Sequence, residues 1–240
     1  MIYLHKFATE QDFNSVYYGN GYVEPWVSLT QAIDRVDYNK RPYEYVDLGL
    51  PSGTLWSTKN LGASSPEDYG DYYAWGELAP KSAYTVENYR FYDENSETPT
   101  RIFSKYNYTD AKIILDPEDD AANVIIGNDW NIPTYPQFEE LIDYDNTSWD
   151  CDAVLNGVSG CLFTSKINGN TLFVPYAGGI NRYGSFGQGE NFLLWGNQLE
   201  YDDCAIALVN GESPYIQDDG TFRYFGYSIR PVLRVQGPLG

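Results

Sequence analysis

The sequence predicts a mixed α+β chain dominated by short strands, and three observations lead there. The 240 residues include 23 Tyr, 6 Trp and 22 Gly, a mixture that suits strands, turns and a rigid aromatic surface better than a helical bundle. One stretch, from Thr134, carries a full helix-start signature. Past residue 153 short apolar runs alternate with turn signals.

Taken in order, residues 1–42 form a separate segment. Thr9 can cap a short helix with Asp12 at its third position, and Phe13, Val16 and Tyr17 could line one face. Gly19-Asn20-Gly21 is a turn signal. Val23 to Leu29 and Val36 to Tyr38 read as short strands, and Pro42 biases its predecessor away from helix. A piece this small makes a poor core of its own, so it is expected to pack on a partner or on the next domain.

Residues 43–235 read as one domain and residues 236–240 as a flexible tail. Tyr45 to Leu50 reads as a strand entering the turn Pro51-Ser52-Gly53, with Thr54 to Ser57 as its continuation and Asp71 to Trp75 as another strand. Residues 78–110, polar and Tyr-rich, read as a long loop. Asp119 to Ala122 opens a short helix with a carboxylate near its positive end. The clearest helix starts at Thr134, where Gln137 completes a capping box, Pro136 sits in the first turn, and Phe138, Leu141 and Ile142 share one face. Strands are then expected at 160–165 and 171–175, flanking Asn168-Gly169-Asn170, and at 192–195, 204–209 and 226–235.

Charge narrows the partners. With 34 acidic and 15 basic residues the net charge is −19, which repels nucleic acid and anionic membranes and is compatible with neutral glycans, basic partners or a large assembly. Solubility alone explains it equally well. No run of about 18 apolar residues occurs and the first residues lack a signal-peptide core, so neither membrane insertion nor export by the usual route is expected. The cysteines are Cys151, Cys161 and Cys204; an odd count argues against a disulfide framework, and buried free thiols are the default, although Cys151 and Cys161 could meet across a hairpin.

Six fragments in order carry a family resemblance: Val46 to Trp56 (VDLGLPSGTLW), Asn60 to Ala63, Tyr69 to Glu77 (YGDYYAWGE), Pro117 to Ala122, Trp130 to Thr134 with Phe138 to Leu141, and Tyr227 to Val232 (YSIRPV). Together they resemble the paralogous domain abundant in Fibrobacter and Bacteroidetes proteins, within the formylglycine-generating-enzyme-like branch of the C-type-lectin-like fold. The resemblance covers about residues 43–235. It implies a twisted, mostly antiparallel sheet with one or two helices and long loops that can vary without disturbing the core. It also implies that variable positions, where such proteins are diversified, fall at about 181–225, a stretch rich in Asn, Tyr, Asp, Ser and Gly. Tyr3 to Phe7, Pro25 to Leu29 and Val36 to Asn39 resemble leader segments of virion proteins from phages of gut Bacteroidetes, which implies an attachment segment followed by a display domain.

Catalysis finds little support in the residues. The chain's single histidine is His5, so a Ser-His-Asp or Cys-His machine in the main domain is excluded. Cys161 and Cys204 do not map onto the cysteine pair of formylglycine-generating enzymes. The pairs Asp119/Asp120 and Asp202/Asp203 could in principle serve glycoside hydrolysis, but adjacent residues point apart. Asp116, Glu118 and Asp120 alternate as in a calcium loop without its sixth-position Gly or twelfth-position Glu. The sugar-binding Glu-Pro-Asn and Gln-Pro-Asp motifs are absent. No cofactor is expected beyond, at most, a structural calcium. The candidate ligand-binding residues are Tyr183, Phe186, Asn191, Asn197, Tyr201, Asp202, Tyr215, Asp218 and Tyr224, whose rings can stack on sugars or anchor a protein while amides and carboxylates fix hydroxyls. Trp195 reads as core.

The expected function is a non-enzymatic phage virion component, such as a head fibre, capsid decoration or tail fibre. Residues 1–42 would contact other virion proteins, and the lectin-like domain would bind a host or mucosal glycan or protein. A homo-oligomer, trimeric as in many fibres, fits that setting. The alternatives are a bacterial surface or secreted adhesion module and a carbohydrate-active enzyme.

Overall fold

The computed structural model describes residues 43–96, 102–127 and 129–234. The expected attachment segment at 1–42 and the tail at 236–240 lie outside them. The described residues form an α+β fold of antiparallel sheets with two short α-helices.

Strand β1 (Tyr45–Asp47) turns back as β2 (Thr54–Ser57) through the expected Pro51-Ser52-Gly53 turn. Gly53 N–H closes it on the Leu50 carbonyl at 2.8 Å, and Gly53 takes a φ of +71°, which a Cβ would oppose. After the irregular described segments 58–96 and 102–116, a 3-10 turn at Pro117–Asp119 leads into helix α1 (Ala121–Ile126), short strand β3 (Trp130–Asn131) and helix α2 (Tyr135–Ile142). Asp120 caps α1 by accepting from Asn123 N–H at 3.0 Å, and its other oxygen accepts from Ile132 N–H at 2.8 Å, tying the helix to β3. Both arms of the expected capping box close at α2: Gln137 Oε1 accepts from Thr134 N–H, and Thr134 Oγ1 accepts from Gln137 N–H. Phe138 and Leu141 are the buried residues of that helix.

Strands β4 (Thr147–Leu155), β5 (Val158–Ser165) and β6 (Thr171–Pro175) form an antiparallel meander. Asn156 and Gly157 link the first two with φ of +49° and +87°, positive at both central positions as the right-handed strand twist favours. A small hairpin follows, β7 (Gly179–Asn181) with β8 (Gly184–Phe186). Strands β9 (Leu193–Leu199), β10 (Ala205–Val209) and β11 (Tyr215–Gln217) make a sheet in the order β11-β10-β9. The last strand, β12 (Val232–Arg234), inserts between β2 and β3, so the sheet order is β1-β2-β12-β3 and the final strand meets the first hairpin.

The β9–β10 pair is the middle layer. Successive side chains of a strand face opposite ways, and here both faces are covered. Trp195, Ala205, Ala207 and Val209 enter an aromatic cluster with Trp75, Tyr84, Tyr89, Phe103, Tyr106 and Tyr227. Leu194, Ile206 and Leu208 enter a second cluster with Leu48, Trp56, Phe138, Phe163, Phe192 and Val232. Each large apolar side chain removed from water contributes about 1.5–3 kcal/mol.

Two expectations need correction. Cys151 and Cys161 are not free thiols; they form a disulfide across β4 and β5. The bulge between Asp150 and Ala153 falls at that point of the ladder, and Cys204 alone remains a buried thiol. The strand expected at 71–75 is reduced to the bridge Tyr73–Tyr227, because Trp75 N–H turns to the Arg223 carbonyl at 2.8 Å. The described residues of 78–110 are irregular, as expected for a loop, with Tyr84, Tyr89 and Tyr106 buried and Tyr108 exposed.

Candidate functional site

The segment Thr221–Gly226 organises the surface that carries most of the candidate residues. It runs beside β10 and then turns: Ala205 N–H donates to the Thr221 carbonyl at 3.1 Å, Cys204 bridges Phe222, Arg223 N–H donates to the Asp203 carbonyl at 2.9 Å, and Phe225 N–H closes a turn on the Phe222 carbonyl at 2.8 Å. Arg223 is fully buried, while Phe222, Tyr224 and Phe225 are half-buried. The Phe222 and Tyr224 rings stack at 5.4 Å and 16°, and Phe225 meets both edge-on.

On the outer side of this segment lies a cleft of about 310 Å³. The Phe222–Tyr224 stack and Phe225 form one wall, the β7–β8 turn (Asn181, Arg182, Tyr183) another, and Thr85, Val86 and Glu87 a third. Asn181 Oδ1 accepts from Tyr183 N–H at 2.8 Å and fixes the turn. Tyr183 is 82% exposed. Arg182 lies over its ring at 4.6 Å and donates to its hydroxyl. Burial raises the Tyr224 phenol, with Asp203 adding to the effect, so it stays a neutral donor and acceptor at neutral pH. The Glu87 carboxyl is lowered, first by its own backbone N–H and then by the Thr85 hydroxyl.

A larger cleft, about 1000 Å³, opens between residues 102–113 and the β9–β10 turn. Tyr108 and Ile113 stand on one side; Glu200, Tyr201, Asp202 and Asp203 stand on the other. Arg223 braces it from below. Its Nη1 donates to the Tyr106 carbonyl at 2.7 Å and the Asp202 carbonyl at 3.1 Å, and its Nη2 donates to the Lys105 carbonyl at 2.9 Å. Its Nε donates to the Tyr89 hydroxyl at 2.9 Å, and Phe103 covers the guanidinium at 4.5 Å. One buried cation thus ties both walls to each other, and the planar fork of Arg suits that task.

The acidic cluster is arranged differently from the alternation read in the sequence. Asp116, Glu118 and Asp119 converge within 4.8 Å, whereas Asp120 is committed to capping α1. The Lys105 ammonium lies 2.7 Å from Asp116, 3.7 Å from Glu118 and 2.5 Å from Asp119. Burial pulls the Lys105 pKa down, but the Asp116 and Asp119 hydrogen bonds outweigh it and hold it above the usual lysine value. Tyr106 also donates to Asp119 at 2.7 Å, and Arg90 lies 2.9 Å from its other oxygen without hydrogen-bond alignment. These carboxylates already have their cations, so the cluster reads as an internal ion-pair network.

Of the candidate residues, Tyr183 and Tyr224 share the smaller cleft, and Tyr201 and Asp202 the larger. Phe186 packs on Phe225 and Tyr227, partly inside the aromatic cluster. Asn191 holds the Gly178 N–H through its carbonyl at 2.7 Å. Asn197 sits in β9 with its side-chain oxygen buried and without a hydrogen-bond partner. Tyr215 lies at the start of β11 and the exposed Asp218 just past its end, outside both clefts. Sequence reasoning missed Arg182, Glu87, Phe222, Phe225, Tyr108 and Arg223. The run Phe222-Arg223-Tyr224-Phe225 offered a compositional signal, three aromatics around one arginine.

Comparison of the chain with family models, curated proteins and solved structures returns no match. No helix among the described residues is long and apolar enough to cross a membrane.

Proposed function

We propose that this chain is a non-enzymatic binding and display module with a C-type-lectin-like domain, carried on a phage particle and presenting the smaller cleft to a host or mucosal glycan. The stacked Phe222–Tyr224 platform beside Arg182 and Asn181 is the observation that carries the reading. Flat aromatic faces bind the apolar faces of sugar rings, and fixed amide and guanidinium donors select hydroxyls or other acceptors. The meeting of the last strand with the first hairpin supports the fold family, as do the ordered sequence fragments. With one histidine in the whole chain, His5, the domain from 43 onward lacks the base of the common hydrolytic triads.

A glycan array probed with the purified chain tests the binding reading. Binding that falls about tenfold or more in Tyr224→Ala supports it, and an array without signal overturns it. Mass spectrometry of purified particles tests the location.

The second reading, a bacterial surface or secreted adhesion module, is favoured by the Cys151–Cys161 disulfide, because such bonds persist in oxidising compartments reached by export. Recovery of the chain in envelope fractions instead of particles would establish it.

A further inference from the structure

We propose that the larger cleft, between residues 102–113 and the β9–β10 turn, docks an extended basic peptide segment of a partner protein. The inference goes beyond the glycan reading and does not depend on it. The cleft, at about 1000 Å³, has the room for several side chains. Its walls divide the chemistry. Tyr108, Ile113 and Tyr201 are 76%, 54% and 54% exposed, a cluster of apolar surface that a globular domain normally covers. Glu200, Asp202 and Asp203 stand beside them, all exposed, and none forms an ion pair among the described residues. The one cation of the lining, Lys112, is held by Asp116 at 2.6 Å.

An occupant must therefore bring apolar stems and positive heads together. Lysine and arginine side chains do so, laying their methylenes on apolar surface and extending the charge beyond it. Tyrosine faces add cation–π attraction. The chain's net charge of −19 steers a basic segment in and repels an acidic one. The cleft is also pre-organised, because Arg223 bonds the Tyr106 and Lys105 carbonyls on one wall and the Asp202 carbonyl on the other. A site whose walls are already fixed loses little freedom on binding.

The probe is a fluorescein-labelled Lys-Arg-Tyr-Lys-Arg-Tyr-Lys peptide, titrated by anisotropy into the full chain at about 0.15 M salt. One variant carries Glu200→Gln, Asp202→Asn and Asp203→Asn. A control with the same charge change carries Glu139→Gln, Glu190→Gln and Glu212→Gln, exposed carboxylates outside both clefts. Tyr201→Ser tests the ring without changing charge. The expected result is about tenfold or greater weakening in the cleft triple, about twofold or less in the control, and a clear loss in Tyr201→Ser. Equal weakening in both triples means diffuse attraction to an acidic surface and overturns the proposal. So does an unaltered Tyr201→Ser affinity, or a self-association seen in ultracentrifugation that the cleft triple abolishes, which would seat a second copy there. Near-ultraviolet circular dichroism confirms that each variant is folded. Glycan-array binding is read in parallel, so loss of one activity is distinguishable from loss of the other.

Discussion

The irregular described segments 58–96 and 102–116 and the β4–β6 meander both bury aromatic and aliphatic groups, by opposite means. In the meander, neighbouring strands supply each other's backbone partners through long antiparallel registers, Thr147–Leu155 against Val158–Ser165 with one bulge between Asp150 and Ala153, and Gly160–Thr164 against Thr171–Pro175. In the irregular segments, side chains reach across the chain to backbone groups. Trp75 Nε1 donates to the Gly196 carbonyl at 2.9 Å, Trp195 Nε1 to the Tyr73 carbonyl at 2.7 Å, and Tyr89 Oη to the Trp75 carbonyl at 2.7 Å. Buried backbone polar groups must be satisfied in either case. A ladder does so with residues adjacent in the pairing; a packed coil does so only when particular Trp, Tyr and Arg side chains arrive from far along the chain. The coil should therefore depend on single residues far more than the meander does.

Arg223 is the sharpest test of that difference. Arg223→Leu leaves the Tyr89 hydroxyl and the carbonyls of Lys105, Tyr106 and Asp202 without this donor. At about 1–3 kcal/mol for each buried group left unsatisfied, partly relieved by relaxation, the expected loss is about 4 kcal/mol. A fall in the urea midpoint at unchanged slope would show it. A loss below about 1 kcal/mol would mean that the rings alone hold the coil, and the contrast with the meander would dissolve.

Reducing the Cys151–Cys161 bond probes the other region. The bond closes a loop with a sequence separation of 10, for which chain entropy gives about 2–3 kcal/mol. Amide exchange after reduction should accelerate in β4 and β5 while the amides around Trp75 and Arg223 keep their protection; acceleration in both would show that the two regions open as one unit.

A smaller, pH-dependent effect is expected where the coil ends, at Asp120. Burial raises its carboxyl to about 6, against the lowering pull of the Ile132, Asn123 and Ala122 N–H groups. The native state thus binds this proton more tightly than the unfolded chain, whose carboxyl titrates near about 3.9. The resulting stabilisation is complete below about pH 4 and is lost as pH rises through about 6. Relative to Asp120→Asn, the wild type should lose about 2 kcal/mol across that window. A flat difference from pH 4 to 7 would mean that the two cap bonds, not burial, set its charge.

The same contrast explains what was legible in the sequence. Thr134 with Gln137 and the Asn168-Gly169-Asn170 turn were readable because their signals are local, and the structure shows both. Strand β4 was not anticipated, although Asn156-Gly157 marks its hairpin, because Asp150 and Asp152 interrupt its apolar pattern on the exposed side. Without β4 in view, the pairing of Cys151 with Cys161 across a hairpin stood only as an alternative to free thiols. In the coil, Tyr84, Tyr89 and Tyr106 follow no period of 2 or 3.6, so nothing local distinguished their burial from an exposed polar loop. The site was half legible for the same reason: the aromatic, Asn-rich composition pointed to 181–225, but which rings face a cleft depends on where Arg223 turns inward. A fully buried arginine has no signature in sequence.

Arg230 offers the gentlest test, because it resembles Arg223 in burial and differs in partners. Both are fully buried. Arg230 donates from Nε to Asn60 Oδ1 at 2.9 Å and from Nη1 to the Ser57 carbonyl at 3.2 Å, while Nη2 has no partner. Burial lowers its pKa to about 9, so it still carries its charge at neutral pH. An incompletely paired buried charge gives back much of what its bonds contribute. Arg230→Met keeps an unbranched chain of similar reach, removes the orphaned donor, and leaves only the Asn60 and Ser57 oxygens short of a partner. The expected loss is about 1 kcal/mol, well below that of Arg223→Leu. Equal losses at the two positions would show that filling the space, and not the number of satisfied partners, is what a buried arginine contributes to this fold.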